Sequence, residues 1–155
     1  PVEVKSAVST DSGTSLRIMT ANVLTPNRNA KALIELVREN APDILVTLES
    51  DAWWQARLDT LEPDYPHTIK CPLDNLYGMH VYSKLRLTDS HIEYLVEPDI
   101  PSIHTLVNLP SGQKIRTHFL HICCLLFICT KKVMLCCYVE ILMGVLVSWQ
   151  TLQKV

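Results

Sequence analysis

Two short apolar runs, Leu16-Arg17-Ile18-Met19-Thr20-Ala21-Asn22-Val23 and Asp43-Ile44-Leu45-Val46-Thr47-Leu48-Glu49, flank a single helix-length segment. A strand–helix–strand unit of this size predicts two parallel neighbouring strands. Both strands then finish on the same edge of the sheet, the edge where ligands of open α/β sheets collect. Asn22 and Glu49 occupy those two ends. An amide and a carboxylate placed there are the beginning of a metal-and-phosphate site.

The helix between them shows in Ala30, Leu33, Ile34 and Val37, which recur at helical spacing, with Lys31, Glu35, Arg38 and Glu39 on the opposite face. Asn27 or Asn29 is the expected cap, and Asn40-Ala41-Pro42 the expected stop. A second helix is expected over 52–61, ended by Pro63 and Pro66. The period then changes to two, and 78–84, 91–96, 103–109 and 114–121 read as strands. Pro110-Ser111-Gly112 supplies turn chemistry between the last two, and Pro98-Asp99-Ile100-Pro101 reads as a stiff connector.

The 155 residues can bury roughly two-thirds of their unfolded surface in one domain. A net charge of -2 rules out a global basic field, so any phosphate chemistry has to be local. The chain opens Pro1-Val2-Glu3 without an initiator Met or a signal-peptide pattern, as expected of a sequence that begins inside a longer protein. Residues 1–15 are small and polar and read as a linker. Five of the six cysteines crowd into positions 123, 124, 129, 136 and 137. Adjacent pairs close no useful loops, so they are not read as a disulfide framework.

Composition breaks after His121. Residues 122–155 read as a hydrophobic, Cys-rich tail without caps, turns or a clean period, of the kind a shifted reading frame produces. Its apolar runs, 122–130 and 133–149 (the second interrupted by Glu140), fall short of the roughly 20 residues a spanning helix needs.

Candidate chemistry starts at Glu49. Mg²⁺ takes one or two carboxylates and leaves its other positions to water and phosphate oxygens. Asn22 offers an uncharged amide to a phosphate or a carboxylate, although a turn-forming role is the plainer alternative. Tyr77, beside Gly78, has a hydroxyl able to donate to developing charge. His118 and His121 lie three apart on one strand, so they face opposite sides and at most one enters a given site. His80, His91 and His104 are read as structural. A zinc site built from His118, His121 and the cysteines is disfavoured by their spacing.

With these residues in view, the chain resembles the endonuclease/exonuclease/phosphatase superfamily, specifically its bacterial membrane-associated branch. The resemblance covers about 16–121, a partial domain. It rests on the two opening runs, on Tyr77-Gly78-Met79-His80-Val81-Tyr82-Ser83-Lys84, and on Pro101-Ser102-Ile103-His104 leading to the histidine-bearing strand. It implies a deoxyribonuclease-I-like α/β sandwich and a Mg²⁺-dependent (or Mn²⁺-dependent) phosphoester hydrolase of nuclease or phosphatase type. Glu49 would be the metal carboxylate and Asn22 its neighbour. His121 would contact the phosphate, with His118 as the competing assignment, and Tyr77 is a looser match.

The implied partner is a phosphate ester: nucleic acid, phospholipid or a small phosphoester. The implied location is a bacterial membrane, otherwise the cytoplasm. The family's Gly-Asp-x-Asn segment and closing Asp-His pair do not occur after residue 121. This chain is therefore expected to hold the first half of the sandwich, to leave the first sheet's apolar face uncovered, and to hydrolyse little by itself. The rival expectation is a non-catalytic α/β remnant whose tail binds a membrane or a protein partner.

Overall fold

The computed structural model describes residues 3–5, 15–95, 97–122, 134–140 and 146–153, with side-chain surroundings for 15–95 and 97–120. In chain order the elements are β1 (Glu3–Lys5), β2 (Ser15–Asn22), α1 (Ala30–Asn40), β3 (Ile44–Leu48) and α2 (Ala52–Leu58), which runs on as a 3₁₀ turn over Asp59–Leu61. Then follow β4 (His67–Cys71), β5 (Met79–Ser83), β6 (Leu87–Glu93), β7 (Ser102–Asn108), β8 (Lys114–Ile122), β9 (Met134–Glu140) and β10 (Leu146–Gln153). They form a six-stranded sheet in the order β1-β10-β2-β3-β5-β4 and a four-stranded sheet in the order β6-β7-β8-β9.

The opening unit folds as its pattern predicts. β2 and β3 are parallel, with Asn22 opposite Leu48, so their carboxyl ends are level. β3 then pairs antiparallel with β5. The side chains of the first sheet alternate between two apolar clusters. Leu16, Ile18, Ile44, Val46, Leu48, Met79 and Val81 pack against Ile103, Val107, Leu109, Ile115 and Phe119 of the second sheet region. Met19, Ala21, Val23, Leu45 and Tyr82 pack instead against α1 and α2 through Leu33, Val37, Trp54 and Leu58. Buried on both faces, the central strands carry the near-continuous apolar runs such strands need. The layers are helices, sheet, sheet: a deoxyribonuclease-I-like α/β fold.

Several expectations change. The first sheet is not left bare, because β6–β9 supply the facing sheet and the inward residues of β7 and β8 fill the space between. Asn29 stands at the N-cap of α1 without a side-chain cap; instead its N–H donates to Asn27 Oδ1. β6 begins at Leu87, where pairing with Val107 recruits it earlier than the alternation suggested, and a bulge interrupts the ladder between Thr88 and His91. β4, squeezed between Pro66 and Pro72, is a short edge strand that periodicity did not single out.

Within 1–15, Glu3–Lys5 pairs with β10. From 122–155, β9 pairs with β8 and β10 runs parallel to β2. The linker and tail assignments otherwise lie outside the described residues, as does the side chain of His121. Among the described residues, no helix is long and apolar enough to cross a membrane.

Candidate metal and phosphate site

Asn22 and Glu49 meet. Asn22 Nδ2 donates to Glu49 Oε1 at 2.7 Å, and Asn22 Oδ1 accepts from the Leu24 N–H at 3.0 Å. With both ends of the amide engaged, its orientation is fixed by its partners. Glu49 is 6% exposed, and its second oxygen, Oε2, is buried with no hydrogen-bond partner in the structure. A buried carboxylate oxygen without a donor is costly, and such an atom calls for an explanation.

The backbone at Glu49 is also unusual. Its φ of 58° is left-handed, a conformation that costs a non-glycine residue about 1–2 kcal/mol. Its neighbours hold it there. Thr25 Oγ1 donates to the Glu49 carbonyl at 2.7 Å, and the Ser50 N–H donates to the Gly78 carbonyl at 3.1 Å. Val23 N–H reaches Leu48 O at 3.0 Å and closes the gap between the strand ends. Below the turn, Thr47 Oγ1 donates to Ser50 Oγ at 3.1 Å.

Gly78 shows why this frame needs glycine. A Cβ there would lie 2.0 Å from the Ser50 carbonyl oxygen and 2.7 Å from the Leu73 nitrogen. Tyr77, just before it, is half-buried, and its N–H donates to Asn75 Oδ1 at 3.1 Å. The backbone contact between Ser50 and Gly78 thus brings the Tyr77-Gly78 segment beside the Glu49 turn.

On the other side, Asp51 caps α2 by accepting from Trp54 N–H at 2.9 Å, and Arg28 grips both its oxygens at 3.1 and 2.9 Å. Burial pulls the Asp51 carboxyl upward, but the Trp54 N–H and the Arg28 guanidinium outweigh it and hold it below the usual carboxylate range. His80, fully buried below the site, is pushed below the usual imidazole range chiefly by burial. It is therefore a neutral residue at pH 7.

His118 is half-buried on the second sheet, its Nδ1 in short contact with His104 Nδ1. His121 pairs through its backbone with Leu135. Thr25, Ser50 and the Arg28–Asp51 pair had no part in the sequence reading. Only Asp51 carried a signal there, as an acid immediately before a helical apolar pattern.

The profile of the Endonuclease/Exonuclease/phosphatase family matches residues 19–150. Among solved structures, TDP2 of D. rerio complexed with single-strand DNA product superimposes with a TM-score of 0.55 at 16% identity, over 64% of this chain and 42% of that one. Truncated TDP2 of Caenorhabditis elegans gives 0.53 at 18% identity, over 63% and 42%. The chain therefore spans less than half the length of these structures, and at such identities they speak for the fold alone. No curated protein matches the chain. Enzymes of the matched family are hydrolases of phosphoester bonds that generally use divalent metal ions. With its sandwich fold and a family match over most of its length, the chain belongs to the Endonuclease/Exonuclease/phosphatase family.

Proposed function

We propose that this chain carries the metal-binding part of a Mg²⁺-dependent phosphoester hydrolase of nuclease or phosphatase type, with Mn²⁺ as the alternative ion. The observation that carries the reading is the buried, unpartnered Oε2 of Glu49, in a strained turn whose other carboxylate oxygen is held by Asn22. Hard cations seek such an oxygen, and the donor set fits one protein carboxylate completed by water and phosphate. A divalent ion bound there supplies Lewis-acid polarisation of a phosphoryl oxygen.

The residues of the chain do the rest. Glu49 brings the charge, and Asn22 keeps the carboxylate from rotating. His121 is assigned to donate to the phosphoryl oxygens, a choice supported by the commitment of His118 Nδ1 to His104. Tyr77 is assigned a supporting hydrogen bond to the substrate. The substrate is a phosphate ester, and the DNA product held by D. rerio TDP2 supports a phosphodiester within that class. The net charge of -2 favours a short or end-bound substrate over a long duplex. Membrane association is part of the same proposal.

Mn²⁺ binding, followed by electron paramagnetic resonance of the free ion, tests the assignment. Glu49→Gln is expected to weaken binding at least tenfold, and equal binding by both proteins would overturn the reading. Without a Gly-Asp-x-Asn segment or an Asp-His pair to activate water, hydrolysis of bis(p-nitrophenyl) phosphate is expected to stay at background. Rapid Mg²⁺-dependent turnover lost in Glu49→Ala would refute that part.

A further inference from the structure

The outer side of the second sheet carries a row of imidazoles. His91, His104 and His118 sit opposite one another on β6, β7 and β8. The β7 and β8 residues flanking them in sequence, Ile103, Thr105, Thr117 and Phe119, are all buried, Ile103 and Phe119 in the cluster between the sheets. Alternation along a strand therefore turns His104 and His118 outward. Glu93 follows His91 by two residues and so shares its face.

The ring of His91 stacks on that of His104, with centroids 5.1 Å apart and planes inclined by 8°. His91 Nε2 lies 3.2 Å from Glu93 Oε1, and His104 Nε2 lies 3.8 Å from Glu93 Oε2. One ligand atom from each of the three residues falls within 4.8 Å of the others.

We infer that His91, Glu93 and His104 form a second divalent-ion site, selective for a borderline transition ion, with Zn²⁺ the best fit. Zinc–nitrogen and zinc–oxygen bonds of about 2.0–2.1 Å put tetrahedral ligand atoms about 3.3 Å apart. The imidazole–carboxylate separations of 3.2 and 3.8 Å lie close to that edge, and the stacked rings of His91 and His104 turn about their side-chain bonds to bring both nitrogen lone pairs onto one ion. Two imidazoles and a carboxylate are a zinc-type donor set, whereas Mg²⁺ asks for oxygens alone. Three protein ligands leave a fourth position for water.

His118 gives the site its outer support. His104 Nε2 contacts Ser102 Oγ at 3.0 Å, and that hydroxyl donates to the Glu93 carbonyl at 3.0 Å. In this arrangement Nε2 carries the proton. Ion binding at Nε2 replaces the Ser102 contact and, by proton exchange with solvent, leaves the His104 proton on Nδ1. The proton that His118 Nδ1 donates beforehand moves to His118 Nε2, and His118 Nδ1 then accepts from His104. A ligand imidazole oriented through its other nitrogen is the usual construction of such sites. Arg116, whose positive charge acts on His104, is paired with Asp89 at 3.2 Å, so its charge is largely compensated. Bound there, the ion ties β6 to β7 next to the bulge that aims His91.

The test uses the whole chain and Co²⁺ as a spectroscopic stand-in displaced by Zn²⁺. Tetrahedral cobalt bands without sulfur-to-cobalt charge transfer are expected, and binding should fall at least tenfold in His91→Ala and in Glu93→Gln. Both side chains are nearly half exposed, so these variants keep the fold, which circular dichroism checks. Zn²⁺ should also raise the melting temperature of the parent and not of the variants. Unchanged cobalt binding in both variants, or a thiolate charge-transfer band placing the ion on the cysteines, would overturn the inference. Glu49→Gln is expected to keep cobalt binding, so this site and the Mg²⁺ site succeed or fail separately.

Discussion

Gly78 and Glu49 divide one strained turn between them. Glu49 accepts a left-handed backbone, and Gly78 gives up a side chain so that Ser50 can reach its carbonyl. Gly78→Ala forces backbone apart on both sides of the new methyl group. It is expected to cost about 1–3 kcal/mol, with a urea midpoint as the readout. It should also weaken Mn²⁺ binding by moving the Glu49 turn, which an ordinary packing defect elsewhere would not do.

His80 makes a different prediction. Buried beside Asp59, Lys70 and the Asp51 backbone, it is held below the unperturbed value of 6.5. The unfolded chain therefore takes up the proton first as pH falls. The stability it contributes is complete above pH 6.5 and is lost as pH drops from there through its lowered folded value. His80→Phe should flatten that part of a denaturation-versus-pH profile.

At the scale of elements, α1 and α2 are terminated by different means. α2 is capped in the expected way by Asp51, whose carboxylate also anchors Arg28. α1 ends on Ala41 in the left-handed region, with its last carbonyls taken by Arg17 and Lys84 from the adjoining strand regions. Asp51→Ala is expected to cost about 1–2 kcal/mol, because the helix cap and a two-oxygen contact from Arg28 to a largely buried carboxylate are lost together. Thermal melting of the variant measures it. Helix positions were legible from apolar spacing alone. The ends of α1 at Asn29 and Ala41 were legible as well, but not the Arg17 and Lys84 donors to its last carbonyls, because these come from strand regions that meet the helix only in the folded chain. β4 escaped notice for a related reason: a five-residue edge strand between prolines is defined by its pairing with β5, not by a period of its own.

Across the whole molecule, the two sheets share one apolar cluster, so they should unfold together. Phe119, fully buried from the second sheet, packs in the cluster that holds Leu48, one residue before Glu49. Phe119→Ala is expected to remove about 3–5 kcal/mol in a single transition seen alike by far-ultraviolet circular dichroism and tryptophan fluorescence. Two separated transitions would show that the sheets fold independently.

The parallel pairing of β2 and β3, the helix between them, and the meeting of Asn22 with Glu49 were written in the sequence. Each follows from local spacing and from the rule that a crossover of this length joins parallel neighbours. The second sheet's closure over the first, the left-handed turn at Glu49, the close approach that requires Gly78, and the alignment of His91, His104 and His118 were decided only by the tertiary structure. Those features depend on register between strands distant in sequence. A one-residue shift, invisible in composition or periodicity, would have turned every one of those side chains to the other face.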